Sequence, residues 1–385
     1  MKKVEFSHTD LTLVQPDFSS TLTDLIIELD YLRKKPLGGT TRPEVFFQLK
    51  HIFHTLESIG SARIEGNNTT IAEYIETKLD GPMEVSFGIK EIQNIEMAME
   101  FIEENLHQYP VNSHFIRQLH QKIVEGLPAP PHGEGDHTPG DYRTFNVTIN
   151  KSSHVPPDFL QVPGYMEELV TFINSNTPAK YDLLKSAIAH HRFVWIHPLG
   201  NGNGRTVRLF TYAMLAKTGF NVNVGRIINP TAVFCSNRND YYSYLAEADK
   251  GSREGILAWC EYVLSGLKEE IEKIDKLTDY QFLKKEILMP TIHYSLERKY
   301  ITDVEYKILK RTIDKQVIQA SDLKEFFVGK ADSEVSRQIR KLIEKRMLMP
   351  ESNGARKYLI RFDNNFLLRG IMKTLDEKGF LPLKD

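Results

Sequence analysis

Apolar residues recur every three to four positions along most of the chain, which predicts helices almost throughout. Leu22 to Lys34 is amphipathic. From about Pro43, Phe46, Leu49, Ile52, Phe53, Leu56 and Ile59 fall on one helical stripe. Gly66 is well placed to end that helix, because glycine tolerates the left-handed turn that follows a last helical residue. Thr70 to Leu79 and Gly88 to Glu104 read as two more helices. Core helices run from about His114 to Leu267, and one of them is Asp182–Ile196. Lys268 to Asp279 is highly charged and reads as a solvated helix or connector. Pro290 is expected to break the next helical stretch, since proline has no N–H to donate. Only Gly140 to Asn150 changes period. It alternates in polarity and is rich in β-branched and aromatic residues, so it predicts a short strand ahead of Val155-Pro156-Pro157.

The last part, about Ile301 to Asp385, reads separately. Thr302–Thr312 is a helix with Val304, Tyr306, Ile308 and Leu309. Ile318 to Leu323 turns into a second helix. Asp332–Arg346 is a third, with Val335, Ile339, Leu342 and Ile343 inward and Arg337, Arg340, Lys341 and Lys345 outward. Met347-Leu348-Met349 and Tyr358-Leu359-Ile360-Arg361 flank the turn Ser352-Asn353-Gly354-Ala355 as a hairpin would. Three helices and a hairpin resemble a winged helix, a fold that often reads DNA with its third helix.

Composition narrows the classes. The chain has 385 residues, enough for two or three domains, and 41% hydrophobic content supports ordinary globular cores. A formal net charge of −2 gives no whole-chain signal for nucleic acid or membrane. Cys235 and Cys260 are too few for a disulfide framework. The N-terminus lacks a signal-peptide core, and no apolar run reaches the roughly 18 residues of a membrane span. A cytoplasmic protein without membrane attachment is expected. His190 and His191 are adjacent on one helix and point to different faces, so polar packing is expected of them.

The strongest chemistry lies in Ile196-His197-Pro198-Leu199-Gly200-Asn201-Gly202-Asn203-Gly204-Arg205-Thr206-Val207-Arg208. Alternating glycines let backbone N–H groups approach a ligand closely. Ahead of a helix, such a turn makes an anion cradle, here with Arg205 and Arg208 on one face of the first turn. His197 stands at its mouth, where it could take a proton. The loop is not a dinucleotide fingerprint, because position 207 is Val and the preceding element is a helix. It is not a Walker loop, because no Gly-Lys-Ser/Thr exists. Phosphate binding beside a base points to transfer of a phosphate-containing group.

This segment resembles the signature of Fic-domain proteins, His-Pro-Phe-x-Asp/Glu-Gly-Asn-Gly-Arg-x-x-Arg. His197, Pro198, Gly202, Asn203, Gly204, Arg205 and Arg208 match, while Leu199 stands for the Phe and Asn201 for the acid. Upstream, Ser61-Ala62-Arg63-Ile64-Glu65-Gly66 resembles the family's inhibitory motif, Ser/Thr-x-x-x-Glu-Gly/Asn. Gly140–Asn150 resembles its flap, with Thr144, Phe145, Asn146 and Val147 docking a target strand.

The resemblance implies a mainly α fold: a Fic helical core with a short β-hairpin flap, plus a C-terminal winged-helix domain. It implies an N-terminal helical region over 1–105 with the inhibitory helix, a catalytic core over 106–267, a helical connector over 268–300 and the winged-helix-like domain over 301–385. It implies an autoinhibited protein adenylyltransferase that moves AMP from ATP to a Ser, Thr or Tyr hydroxyl of a target protein or of itself. His197 is then the base; Gly200, Gly202, Asn203, Gly204, Arg205, Arg208 and Tyr242 hold the nucleotide; Mg2+ would sit at Asn201; Glu65 and Ser61 inhibit by engaging Arg208. Dimers are frequent in such proteins, and the C-terminal domain offers DNA or protein contacts. The competing reading is a nucleotide-sensing DNA-binding regulator with a degenerate core, for which Asn201 speaks. A phosphocholine or phosphate donor is a lesser option.

Overall fold

The computed structural model describes residues 6–35, 38–80, 85–106, 108, 110–149, 152–220, 222 and 226–381. In chain order the helices are α1 (Thr21–Lys34), α2 (Pro43–Ile64), α3 (Ile71–Asp80), α4 (Phe87–Asn105), α5 (Ser113–Val124), α6 (Val162–Asn174), α7 (Asp182–Ile196), α8 (Asn203–Lys217), α9 (Pro230–Ser236), α10 (Arg238–Ala248) and α11 (Arg253–Asp275). Then α12 (Tyr280–Phe282) runs through a π-helical segment (Leu283–Leu288) into α13 (Met289–Glu297), followed by α14 (Asp303–Lys315), α15 (Asp332–Glu344) and α16 (Leu367–Glu377). Among the described residues none of these helices is long and apolar enough to cross a membrane.

The chain forms two compact units, neither continuous in sequence. The first gathers Met1–Pro36, His54–Thr69 and Val85–Ile271; the second gathers Leu37–Phe53, Thr70–Glu84 and Glu272–Asp385. The helix α2 therefore supplies residues to both.

In the first unit α7 and α8 pack on each other at the centre, with α4, α5, α6 and α9 around them. Leu183 to Ile196 is buried at every position except Val194, and Arg205 to Ala216 at every position. A helix buried on all sides must satisfy its polar side chains internally. His190 meets the Thr211 hydroxyl at 2.7 Å and the Tyr241 hydroxyl at 3.0 Å, and His191 meets Asp249 at 2.9 Å. The paired histidines are polar packing, as expected.

In the second unit α14 begins with a capping box, Thr302 with Glu305. After it come β1 (Ile318–Gln319), a 3-10 segment (Ala320–Phe327), α15, β2 (Leu348–Pro350) and β3 (Lys357–Ile360). The sheet is antiparallel in the order β1-β3-β2, with Ile318 opposite Tyr358 and Leu348 opposite Ile360. Ile308, Leu309, Leu323, Leu342 and Leu359 are fully buried in this unit.

Three expectations are corrected. Pro290 does not break a helix: the preceding π-helical turn changes the bonding pattern just where its missing N–H would be needed. The charged stretch from Lys268 is not solvated all round, because α11 continues through it and buries Ile271 and Ile274, with Leu277 buried just beyond. Finally, the 140–149 segment is not a strand. The described residues there include a turn at Gly140 and bends at Thr144 and Phe145 and join no ladder, and Asn150 lies outside them.

Candidate active site

The helix α7 ends at His197, which adopts φ 50° and ψ 60°. That left-handed conformation costs a non-glycine residue roughly 1–2 kcal/mol, so neighbouring bonds must hold it. Its ring Nδ1 lies 3.4 Å from the Val194 carbonyl oxygen. A carbonyl only accepts, so Nδ1 carries the hydrogen and Nε2 keeps its lone pair. Burial pushes the imidazole pKa down to about 4; the Val194 carbonyl opposes this and the Arg143 charge adds to it. At neutral pH the ring is neutral and able to accept a proton.

From His197 the chain turns through Gly200 and Gly202 into α8. Gly202, at φ +73°, takes a conformation that side chains disfavour. Asn203 Oδ1 accepts from the Leu199 N–H at 3.0 Å, and Asn203 Nδ2 donates to the Leu199 carbonyl at 2.9 Å. With these two bonds Asn203, expected to grip phosphate, staples the turn. Leu199 is fully buried under it, which explains an apolar residue there. No side chain caps the N-terminus of α8. The uncapped end is electropositive, as an anion site requires.

The Glu65 carboxylate fills that position. A Cβ on Gly204 would collide with it and would come within 3.0 Å of Arg208 Nη1. Arg208 Nη2 donates to Glu65 Oε1 at 2.7 Å and to the Ser61 carbonyl at 2.9 Å, while Nε donates to Ser61 Oγ at 2.8 Å. Burial pushes the Glu65 carboxyl up, but the charges of Arg208 and Arg205 outweigh it and hold the pKa below the ordinary value. Local sequence brings Glu65 here: α2 ends in a Schellman-type turn, with the Asn67 N–H on the Ala62 carbonyl and Gly66 at φ +105°.

Sequence reasoning missed a second link. Asn67 Nδ2 donates to Glu91 Oε2 at 2.7 Å, and Glu91 Oε1 pairs with Arg205 Nη1 at 2.8 Å. Arg205 is fully buried and also donates to the Glu134 carbonyl. It braces the turn from beneath, between α4 and the 134–136 segment. Glu91 carries no sequence signal, being one acid among several on an amphipathic helix.

Asn201 does not fit a metal-ligand role. Its backbone N–H donates to Asp136 Oδ2 at 2.7 Å, and its side-chain Nδ2 donates to the Gly135 carbonyl at 3.0 Å. The amide hydrogens thus face outward from the loop onto residues 135 and 136. An acid here would set a carboxylate against a carbonyl and near Asp136. Among the described residues, no group of three or more His, Cys, Asp or Glu side chains is arranged to hold a metal ion.

The 144–147 segment reaches the site through Arg143, whose guanidinium is buried. Thr144, Phe145 and Asn146 are exposed and Val147 is half-buried. Strand pairing fails for a local reason. Asn146 is held by Asp158 and by the Phe159 N–H, and the neighbouring Pro156 and Pro157 have no N–H for a ladder. Of the two tyrosines, Tyr241 is buried core and Tyr242 is 45% exposed, with the Arg238 guanidinium 5.7 Å from its ring centre.

Residues 110–215 match the Fic/DOC family. A stretch of 214 residues, 54% of the chain, is 29% identical to the protein adenylyltransferase Fic of Nematostella vectensis and covers 44% of it. The corresponding protein of Drosophila yakuba is 29% identical over 215 residues, covering 38% of its length. The chain thus spans less than half of these curated relatives. A crystal structure of a Fic family protein from Desulfovibrio desulfuricans G20 superposes with a TM-score of 0.53, 18% identity and coverage of 90% of this chain and 98% of that one. Fic-1 from C. elegans gives 0.54 at 18% identity, over 66% of this chain and 71% of that one. Sequence match, fold and loop geometry agree: residues 110–215 are a Fic domain.

Proposed function

We propose that the chain is an autoinhibited protein adenylyltransferase, using ATP and a protein hydroxyl as substrates. The observation that carries this is the Glu65 carboxylate lying over Gly204 and bonded to Arg208, an anion already seated where a phosphate would sit. The adenylyltransferase names of the relatives supply the nucleotide. The neutral His197 ring supports the role of base.

In this reading the α-phosphorus of ATP faces His197 Nε2. The imidazole takes the proton of the target hydroxyl, and the oxygen forms a bond to the α-phosphorus. The bond to the β-phosphate breaks and pyrophosphate leaves. Positioned proton transfer contributes about 10²–10⁴-fold in rate. The Gly202–Gly204 turn and the α8 N-terminus hold the phosphate chain, and Arg208 holds its end by forked hydrogen bonds once Glu65 has left. Tyr242 is placed beside the base or ribose. Mg2+ travelling with ATP finds no ligand in Asn201, and no step is assigned to it. The exposed Thr144–Val147 edge docks an extended target segment through its backbone. The 303–360 region of the second unit has the element order of a winged helix.

The test is transfer of labelled AMP from ATP. Glu65→Gly is expected to raise incorporation well above wild type, and His197→Ala in that background to abolish it. Equal incorporation by all the proteins would refute both roles.

A further inference from the structure

The Arg143 side chain lies outside the phosphate turn, yet four backbone carbonyls converge on it. Nε donates to the His197 carbonyl at 2.8 Å, Nη1 to Phe145 at 2.9 Å, and Nη2 to Pro157 at 2.6 Å and Ile196 at 3.4 Å. Its own N–H donates to the Pro198 carbonyl at 2.8 Å. The residue is 2% exposed. Two of these carbonyls, Ile196 and His197, end α7, where helical carbonyls lack partners and the dipole is negative. The other two belong to Phe145, in the exposed 144–146 stretch, and to the buried Pro157. A buried cation is retained when its donors are satisfied, and only a planar fork can serve four acceptors in different directions.

We propose that Arg143 is a positioning residue that locks the left-handed His197 turn to the Phe145 edge, so that base and docked hydroxyl are held in one register. The bonds to Ile196, His197 and Pro198 offset the strain of the turn. Those to Phe145 and Pro157 take carbonyls that would otherwise seek a strand partner. Arg143 touches no reacting atom. After burial, its charge and that of His154 favour the neutral His197 imidazole, while Glu65 opposes them. The rate arm of the test rests on the adenylyltransferase reading, and the spectroscopic arm does not.

The test uses the full chain. Arg143→Lys keeps the charge and loses the fork; Arg143→Gln loses the charge. In the Glu65→Gly background Arg143→Lys is expected to bind ATP with parental affinity and melt close to the parent, yet to lower kcat by about 100-fold, the usual effect of an ångström's misplacement. Imidazole NMR of Arg143→Gln is expected to show the His197 titration shifted upward by about one pH unit. Parental kcat in Arg143→Lys together with an unmoved His197 titration would overturn the proposal. Lower melting with parental kcat would also overturn it, by showing a merely structural role. If the Glu65→Gly parent transfers no AMP, the function reading fails alone, and the NMR result still decides for or against Arg143. Should Arg143→Gln fail to fold, Arg143→Met, which also loses the charge, carries the NMR measurement and the lysine variant the rate.

Discussion

At the scale of single residues, the signature positions divide into those that meet the Glu65 carboxylate and those that shape the loop. Gly204 and Arg208 are of the first kind; Leu199, Asn201, Gly202 and Asn203 are of the second. Motif spacing is blind to this division, because a staple and a ligand leave the same letter in the sequence. Asn201 is the informative case. Its side-chain Nδ2 donates to the Gly135 carbonyl, a bond that an acid cannot make, while its backbone N–H serves Asp136 whatever the side chain. Asn201→Asp therefore should not restore a metal site. It should lower stability by about 1–3 kcal/mol, the usual effect of leaving such a group mismatched. Calorimetric titration with Mg2+ alone should show no gain in affinity over wild type. A tenfold tighter Mg2+ site in that variant would show that the side chain can turn inward and that the staple assignment is wrong.

At the scale of elements, α2 and the turn that ends it carry a polar stripe: His54, Glu57, Ser61 and Glu65, three or four residues apart. Each has a partner within the first unit. His54 faces Glu103 at 3.3 Å, and Glu57 Oε1 accepts from the Thr231 N–H at 2.9 Å. Ser61 and Glu65 hold Arg208. Burial pushes the Glu57 carboxyl up to about 8, against the opposing bonds from Thr231. Its sign is fixed by linkage. The folded protein keeps a proton that the unfolded chain releases above about 4.5, so this group lowers stability progressively as pH rises from about 4.5 to 8. Glu57→Gln keeps an acceptor for Thr231 and removes the ionisation. Its melting temperature relative to wild type should therefore rise from pH 5 to pH 8, with a difference on the order of a few kcal/mol at most. The histidines pushed down by burial act alike in both proteins and cancel. A flat or falling difference would refute the protonated carboxyl. The helix, its terminating Gly66 and the Ser61–Glu65 pair were legible in the sequence, because period and motif both mark them. Glu57 was not, since a lone acid on an apolar stripe looks like any interruption. Arg143 and Glu91 were invisible for the same reason: their partners are backbone carbonyls or distant charges that no local spacing encodes. The 144–147 segment was misread because its alternation is genuine, while the prolines opposite it forbid a ladder.

At the scale of the molecule, the second unit decides between an enzyme and a DNA-binding regulator with a dormant core. The regulator requires the basic face of α15 to be free for phosphates. Of Arg337, Arg340, Lys341 and the C-cap Lys345, three have carboxylate partners instead. Arg337 pairs with Glu334 at 3.0 Å, and Lys341 and Lys345 reach Glu305 at 3.5 and 2.7 Å. The Glu305 side chain is fully buried, and it also accepts from the Thr302 N–H in the capping box of α14. Its pKa lies below the ordinary value although burial opposes this, because Lys345, the Thr302 N–H and Lys341 favour the anion. The two lysines thus join α15 to the start of α14 and serve stability. Replacing both Lys341 and Lys345 with Ala leaves a buried carboxylate short of charge. The expected loss is about 1–3 kcal/mol, visible as a lower melting temperature. Wild-type affinity for duplex DNA is expected to be weak and no more salt-dependent than that of the double variant. If the variant melts like wild type while the salt slope of DNA binding falls by about two, one for each phosphate no longer neutralised, the lysines face nucleic acid and the regulator reading gains the second unit.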